Sequence, residues 1–155
     1  MTINEPMIEI VGARPFHVGT IARRMRTIDR LECFALGHSP KEALRLGLVA
    51  SSIAWTILVD GRPEAMFGAC PISELEGRGR VWLLMTEEAG RYRKAMVRLG
   101  WRYTQALHDH YPILENFVHA RNDRAIRWLA RLGYAVGPVD VIGNQPMRGF
   151  VRVQR

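Results

Sequence analysis

The stretch from Glu115 to Pro138, ENFVHARNDRAIRWLARLGYAVGP, constrains the fold more than any other part of the chain. Ile113 to His119 is apolar enough for a buried strand. Asn122 or Asp123 can cap a helix that runs to about Leu132. Gly133 stands where that helix must end, because a residue free to turn left-handed closes helices best there. Tyr134, Ala135 and Val136 then open another strand. Strand, helix, stop and strand in this order imply a helix packed on a sheet, and so an α/β fold.

The rest of the chain supplies more of both elements. Met7 to Ala13 reads as a first or edge strand. A helix is expected from Phe16 or His17 to about Phe34, with Val18, Ile21, Ala22, Met25, Ile28 and Leu31 on its buried face. Ser39-Pro40-Lys41-Glu42 has the form of a capping box with proline in the first turn, so a second helix runs to about Val49. Asp60-Gly61 joins Ile53–Val59 to Pro63–Cys70 as a hairpin. Val81 to Met85 has apolar residues on both faces and should be a central strand. A long helix is expected from about Glu87 to His110, stopped by Pro112. After a Gly/Asn/Pro-rich loop from Gly143 to Pro146, Phe150 to Val153 reads as a last strand. The order is β-α-α-β-β-β-α-β-α-β-β, a mixed central sheet flanked by helices.

At 155 residues the chain is long enough for one domain that buries roughly 70% of its unfolded surface. The longest uncharged run, Leu46 to Val59, is too short to span a bilayer and contains Ser51, Ser52 and Thr56. MTINEPMIEI has neither the basic start nor the apolar core of a signal peptide. Cys33 and Cys70 give no disulfide framework, so both read as reduced thiols. The net charge of +7, from 22 basic and 15 acidic residues, favours an anionic partner without choosing among a nucleotide cofactor, nucleic acid and an acidic protein surface.

The spacing Asn122, Ala125, Leu129, Gly133, Tyr134 resembles the closing motif of the GNAT N-acyltransferases, N-x-x-A-x-x-x-Y-x-x-x-G-F. The element order is also the one this resemblance implies. Blocks spread along the chain are similar to the gene-product-thirteen family of short-tailed phages, GNAT-like internal virion proteins. They are Asp29-Arg30-Leu31-Glu32-Cys33, Ser39-Pro40-x-Glu42-Ala43-Leu44, Val59-Asp60-Gly61-Arg62-Pro63-x-Ala65-Met66-Phe67-Gly68, Trp82-Leu83-Leu84-x-Thr86 and Leu114-Glu115-Asn116-x-Val118-x-Ala120-Arg121-Asn122. The resemblance implies a phage protein serving virion assembly, with virion proteins as partners. Its location would be the cytoplasm of an infected bacterial host or the virion.

The GNAT resemblance also implies acetyl-CoA as cofactor. The strand before the long helix would bond the pantetheine arm, and the following turn would bind the pyrophosphate. That assigns Leu84, Met85, Thr86, Gly90, Arg91, Arg93 and Lys94 to the cofactor, with Asn122 and Asn116 as cleft amides, Asn122 equally well explained as a helix cap. Two departures argue that acyl transfer is weak or lost. The turn has one glycine, and Glu87 and Glu88 stand where an anion should sit, at the expected helix start. Leu129 occupies the place of the family's tyrosine acid and has no proton to give.

As catalytic candidates, Glu32 can act as a base or bind a cationic acceptor, and His119 can act as a base at a strand end. Each is equally at home as a paired or partly buried polar residue. Arg91, Lys94, Arg98 and Arg102, and then Arg124, Arg127 and Arg131, form two basic stripes. These suit solvent, nucleic acid or an acidic partner. His108 and His110 face different ways on one helix, and no metal-binding set converges.

Overall fold

The computed structural model describes residues 5–154. Residues 1–4, over which the sequence argues against a leader, lie outside the described residues, as does Arg155. A seven-stranded sheet has the order β1-β2-β3-β4-β5-β7-β6. Its strands are β1 (Ile8–Gly12), β2 (Ile53–Val59), β3 (Arg62–Ser73), β4 (Arg78–Met85), β5 (Ile113–His119), β6 (Ala135–Ile142) and β7 (Gln145–Val153). Every neighbouring pair is antiparallel except β4 and β5. β4 is the middle strand, as its two apolar faces require.

The helices are α1 (Val18–Arg24), α2 (Thr27–Ala35), α3 (Pro40–Ala50), α4 (Arg93–His108) and α5 (Asp123–Arg131). Val18, Ile21, Met25, Cys33 and Leu44 pack with Met66 and Leu84, so α1, α2 and α3 cover one face of β3 and β4. Leu107 of α4 and Leu129 of α5 pack with Leu114, Val118 and Phe150 on the opposite face of the sheet. Ser39 accepts from the Glu42 N–H at 3.2 Å and caps α3.

Two expected helices differ. The first splits after Arg24, because Met25 is extended and forms an isolated bridge with Thr86. The backbone N–H of Arg26 donates to the Met85 carbonyl at 3.0 Å. A pairing with the end of β4 thus outweighs the local helical pattern. The long helix begins at Arg93, not Glu87, after a single 3₁₀ turn at Ala89–Arg91. The final strand begins at Gln145 rather than Phe150, joined to β6 by a tight turn in which Gly143 and Asn144 have positive φ.

Candidate active site

β4 and β5 pair only where Arg78, Gly79 and Arg80 meet Ile113, Leu114 and Glu115, and beyond that they diverge. The direction of the free backbone groups follows from the pairing on the other side. The Thr86 N–H donates to the Glu64 carbonyl at 2.9 Å. By alternation, the backbone groups of Val81, Leu83 and Met85 point away from β3, into the gap. Most of them are taken. The Val81 carbonyl accepts from the Asn116 side-chain amide at 2.7 Å. The Met85 carbonyl is held by Arg26, and its N–H donates to Asp29 Oδ2 at 2.9 Å. That leaves the Leu83 peptide facing the notch. On the opposite wall, the Phe117 N–H donates to its neighbour Asn116 Oδ1 at 2.8 Å and the His119 N–H to Glu32 Oε1 at 2.9 Å.

Arg26, Asp29 and Glu32 recur every third residue, so they share one face at the start of α2, and all three line the notch. Asp29 is buried and pairs with Arg26 at 2.7 Å. Asp29 therefore holds the end of β4 while Glu32, one turn later, holds the end of β5. These two carboxylates stand in for ladder hydrogen bonds that the diverging strands cannot make to each other. Burial pushes the Glu32 carboxyl up to about 7, with the Asp29 charge acting in the same direction. Bonds from the His119 N–H and the Asn122 amide, and the charge of Arg26, pull the other way. Burial likewise pushes the Asp29 carboxyl up, against the pull of Arg26. The Cys33 thiol is pushed up to about 12 by burial, which leaves it unreactive as a nucleophile.

His119 is fully buried. Its Nδ1 accepts from the Arg121 N–H at 3.1 Å, so Nε2 carries the proton and donates to Gln145 Oε1 at 2.8 Å. Its one lone pair is occupied. Asn122 serves two groups at once. Its Oδ1 accepts from the Ala125 N–H at 3.3 Å as the cap of α5, and its Nδ2 donates to Glu32 at 3.3 Å.

The turn before α4 departs from the sequence expectation. Glu88 accepts from the Tyr92 hydroxyl at 3.0 Å and pairs with Arg91 at 3.2 Å. The helix itself has no acidic residue in its first turn and no side-chain cap, and Arg93 and Lys94 open it. No side chain caps the N–H groups of that turn, and Glu88, expected to block them, is engaged by Tyr92 and Arg91. Gly90 and Arg93 line the cavity, and the Gly90 carbonyl accepts from Arg124 at 2.6 Å, tying this turn to α5. Of the remaining candidates, the Leu84 side chain packs in the core beneath α1 and α3, while Met85 packs on the α4 side. Thr86 is buried and donates to Glu64 Oε2 at 2.6 Å. Arg91 is largely exposed. Among the described residues no cluster of three or more His, Cys, Asp or Glu gathers to hold a metal, and no helix is long and apolar enough to cross a membrane.

No protein-family model and no curated protein matches the sequence. Solved structures match the fold over nearly its whole length. The ribosomal-protein-S18-alanine N-acetyltransferase from Escherichia coli superposes with a TM-score of 0.70 at 12% identity, covering 96% of each chain. The aminoglycoside acetyltransferase AAC(6')-Ib in complex with coenzyme A gives 0.67 at 11% identity, covering 95% of each chain. The ribosomal-protein-S5-alanine acetyltransferase from Vibrio fischeri gives 0.66 at 10% identity, covering 97% of each. The fold is that of the GNAT acetyltransferases. In this GNAT fold the notch between β4 and β5 divides the helices into two sets, α1 to α3 on one face and α4 with α5 on the other.

Asp29, Arg26 and the Leu83 peptide are site groups that the sequence reading did not single out. Asp29 carried a signal, since it lies one helical turn before Glu32 on the same face. The Leu83 peptide carried none, because it arises from where two strands part, and Asn116, expected as a cleft amide, lies in the notch on the Val81 carbonyl.

Proposed function

We propose that the chain is an acyl-CoA-dependent N-acyltransferase acting on an amine, with Glu32 as the base. The observation that carries the reading is the notch itself. Its exposed β4 edge is stopped at Val81 and Met85, leaving the Leu83 peptide to position a thioester arm, with a carboxyl near neutrality beside it. The open start of α4, with Arg93 and Lys94, suits the pyrophosphate of a CoA thioester. Solved neighbours of this fold bind coenzyme A, and that likeness supports the choice of cofactor here.

The chain's own groups divide the work. The Leu83 peptide and the α4 start orient the thioester, which supplies the activated acyl group. Glu32 Oε2 is left without a partner among the described residues and receives the proton of the incoming amine, directly or through one water. The bond formed is N–C and the bond broken is C–S. Leu129 has no proton to give, so the sulfur leaves as a thiolate and is protonated by water. Orientation and carbonyl polarisation carry the rate without a protein acid. His119 is a positioning residue in this scheme: it donates its backbone N–H to Glu32 while Arg121 occupies its lone pair.

Calorimetric titration with acetyl-CoA and free CoA, followed by single-turnover transfer to a panel of amines, tests the reading. Binding by both ligands, and transfer that Glu32→Gln abolishes without loss of binding, is the expected result. Failure of the wild-type protein to bind either ligand sinks it.

The similarity to internal virion proteins of short-tailed phages supplies a setting for this chemistry, an assembling particle. The residues carrying that similarity include Asp29, Glu32, Asn116 and Asn122, which build the notch. Co-sedimentation with particles from an infected host tests the setting separately from the chemistry. The basic stripes remain available for a nucleic-acid or capsid contact, which a steep salt dependence would reveal.

A further inference from the structure

We propose that the amine acylated here belongs to the first residue of an extended peptide that carries an acidic group about three residues further on, held by Arg80. The peptide nitrogen gains the acyl carbon and loses a proton to Glu32. The inference rests on the acyltransferase reading above and names its acceptor class.

The thioester comes to the notch from the start of α4, which leaves the side covered by α2 and α3 to the acceptor. Side chains alternate between the faces of a strand. Trp82 and Leu84 pack with the core under α1 and α3, so Arg80 points to that side as well. Leu114 and Val118 pack beneath α4 and α5, so Phe117 points the opposite way, toward α2. α2 lies against β5 and β7 while α3 lies against β3. Between the two helices β4 and β5 form the floor of an open trough. Leu36 at the end of α2, Leu46 of α3 and Phe117 border it, and all three are 40 to 50% exposed. Single exposed apolar side chains need no explanation, but three around one cleft mark a contact surface.

Trp82 gives the trough a fixed wall. Its Nε1 donates to Ser51 Oγ at 2.8 Å, just past the end of α3. A Cβ placed on Gly47 would lie 2.7 Å from its ring, so α3 rests on the indole as closely as glycine permits. The ring is held from two directions, and ordering it costs an incoming chain nothing further.

The two ends of the trough carry opposite charges. Glu32 lies level with His119, whose N–H it accepts at 2.9 Å. Arg80 lies level with Glu115 in the short β4–β5 ladder. From Glu115 to His119 the strand advances about 13 Å. Arg80 is exposed, lines the cleft and makes no ion pair among the described residues. Its ladder neighbour Glu115 is taken by Arg78, and Arg26 at the other end is taken by Asp29. A free amino acid holds its two charges within one residue and cannot reach both ends. An extended chain advances about 3.3 Å per residue. Allowing for the length of the arginine itself, the acid falls at the third or fourth residue. The apolar border between the ends suits apolar first residues, and the open side of the trough leaves the peptide backbone to water.

The test is acetyl transfer to amidated pentapeptides that begin with leucine and carry one aspartate, walked from the second position to the fifth, each beside its asparagine control. A tripeptide with a free carboxylate, compared with its amide, separates a terminal carboxylate from a side-chain acid, and a gain from either source supports the inference. KM should be about tenfold lower for aspartate than for asparagine at the third or fourth position, with kcat alike for the two peptides. Arg80→Glu, first checked for a wild-type circular dichroism spectrum, should lose that preference and favour arginine at the same position. Arg80→Gln should lose it without gaining the new one. Equal use of aspartate and asparagine, a preference indifferent to position, or one that both folded variants retain overturns the inference and leaves the acyltransferase reading intact. So does transfer to other amines with none to any peptide. Binding of neither acetyl-CoA nor free CoA removes the acyltransferase reading, and this inference with it.

Discussion

Glu64 and Glu32 are both drawn out of water by the same sheet, and their surroundings drive them in opposite directions. Glu64, fully buried on β3, meets Arg24 through two hydrogen bonds, Arg62 Nε at 2.7 Å and the Thr86 hydroxyl at 2.6 Å. Burial pushes its carboxyl up, but the bonds from Arg24 and Thr86 and the charges of Arg24 and Arg62 outweigh it and hold it below the usual range. Glu32 has no cation bonded to it and lies near Asp29, and it rises to about 7. A carboxylate with its own guanidinium is a fastener, and one that must share a neighbour's is a titratable group at working pH. The chain places the fastener beneath the continuous half of the sheet and the titratable group at the notch.

The comparison breaks most visibly if Glu64 loses its principal cation. Arg24→Ala should destabilise the protein by about 3 kcal/mol near neutrality, because the carboxylate it leaves is buried. Urea unfolding at two pH values checks this. The deficit should shrink as the solution is acidified and Glu64, left with Arg62 and Thr86, takes up a proton more readily than in the wild type.

Removing the charge at the other site should strike activity without costing stability. Glu32→Gln keeps an oxygen for the His119 N–H and the Asn122 amide but cannot accept a proton. It should lower kcat about 100-fold and, near neutral pH, raise Tm, because the folded state no longer carries a charge that burial disfavours. The wild-type kcat/KM should climb with pH through about 7 as Glu32 ionises, and that limb should vanish in Glu32→Gln. A pH limb that survives assigns the base to another group.

A subtler change sharpens the contrast. Thr86→Val removes one hydrogen bond to the Glu64 carboxylate and should reduce stability by about 2 kcal/mol. A loss near zero would mean that the guanidinium groups alone fix Glu64.

The two carboxyls also give stability opposite slopes against pH, each no steeper than about 1.4 kcal/mol per pH unit. Glu64 binds its proton less readily in the folded state, so its contribution is present above its ordinary value of 4.5 and fades as the pH falls below it. Glu32 binds its proton more readily when folded. Its contribution is complete below its ordinary value of 4.5 and is lost as the pH rises to about 7. For these two groups stability therefore peaks near the lower end of that window, and Glu32→Gln should flatten the descending side in thermal unfolding scans.

How much of this the sequence disclosed depends on the range of the forces involved. β5 and α5 were legible to within a residue, because a buried run, an Asx cap and a glycine stop are local signals. The break at Met25 was not, since it answers to Met85 on a distant strand. The start of the long helix was not legible either. Its displacement from Glu87 to Arg93 depends on a 3₁₀ turn and on a Tyr92–Glu88 bond that spacing does not foretell. Glu32 stood out as a carboxylate at the end of an apolar stripe. Its rise in pKa, however, depends first on its burial and then on the nearby Asp29 charge, which only the packed structure reveals. Glu64 gave a signal that went unread, a lone acid inside the apolar strand Pro63–Cys70.

The turn between β6 and β7 bears on how the site comes into being. Gly143 sits so close to the end of α2 that a Cβ there would lie 2.2 Å from the Ala35 carbonyl, and Gln145 at the head of β7 accepts a hydrogen bond from His119 Nε2. Both contacts come from a hairpin that follows α2, β4 and β5 in the chain. A nascent chain that has already made those elements still lacks the hairpin against which α2 seats. The notch is therefore complete only once β6 and β7 are made.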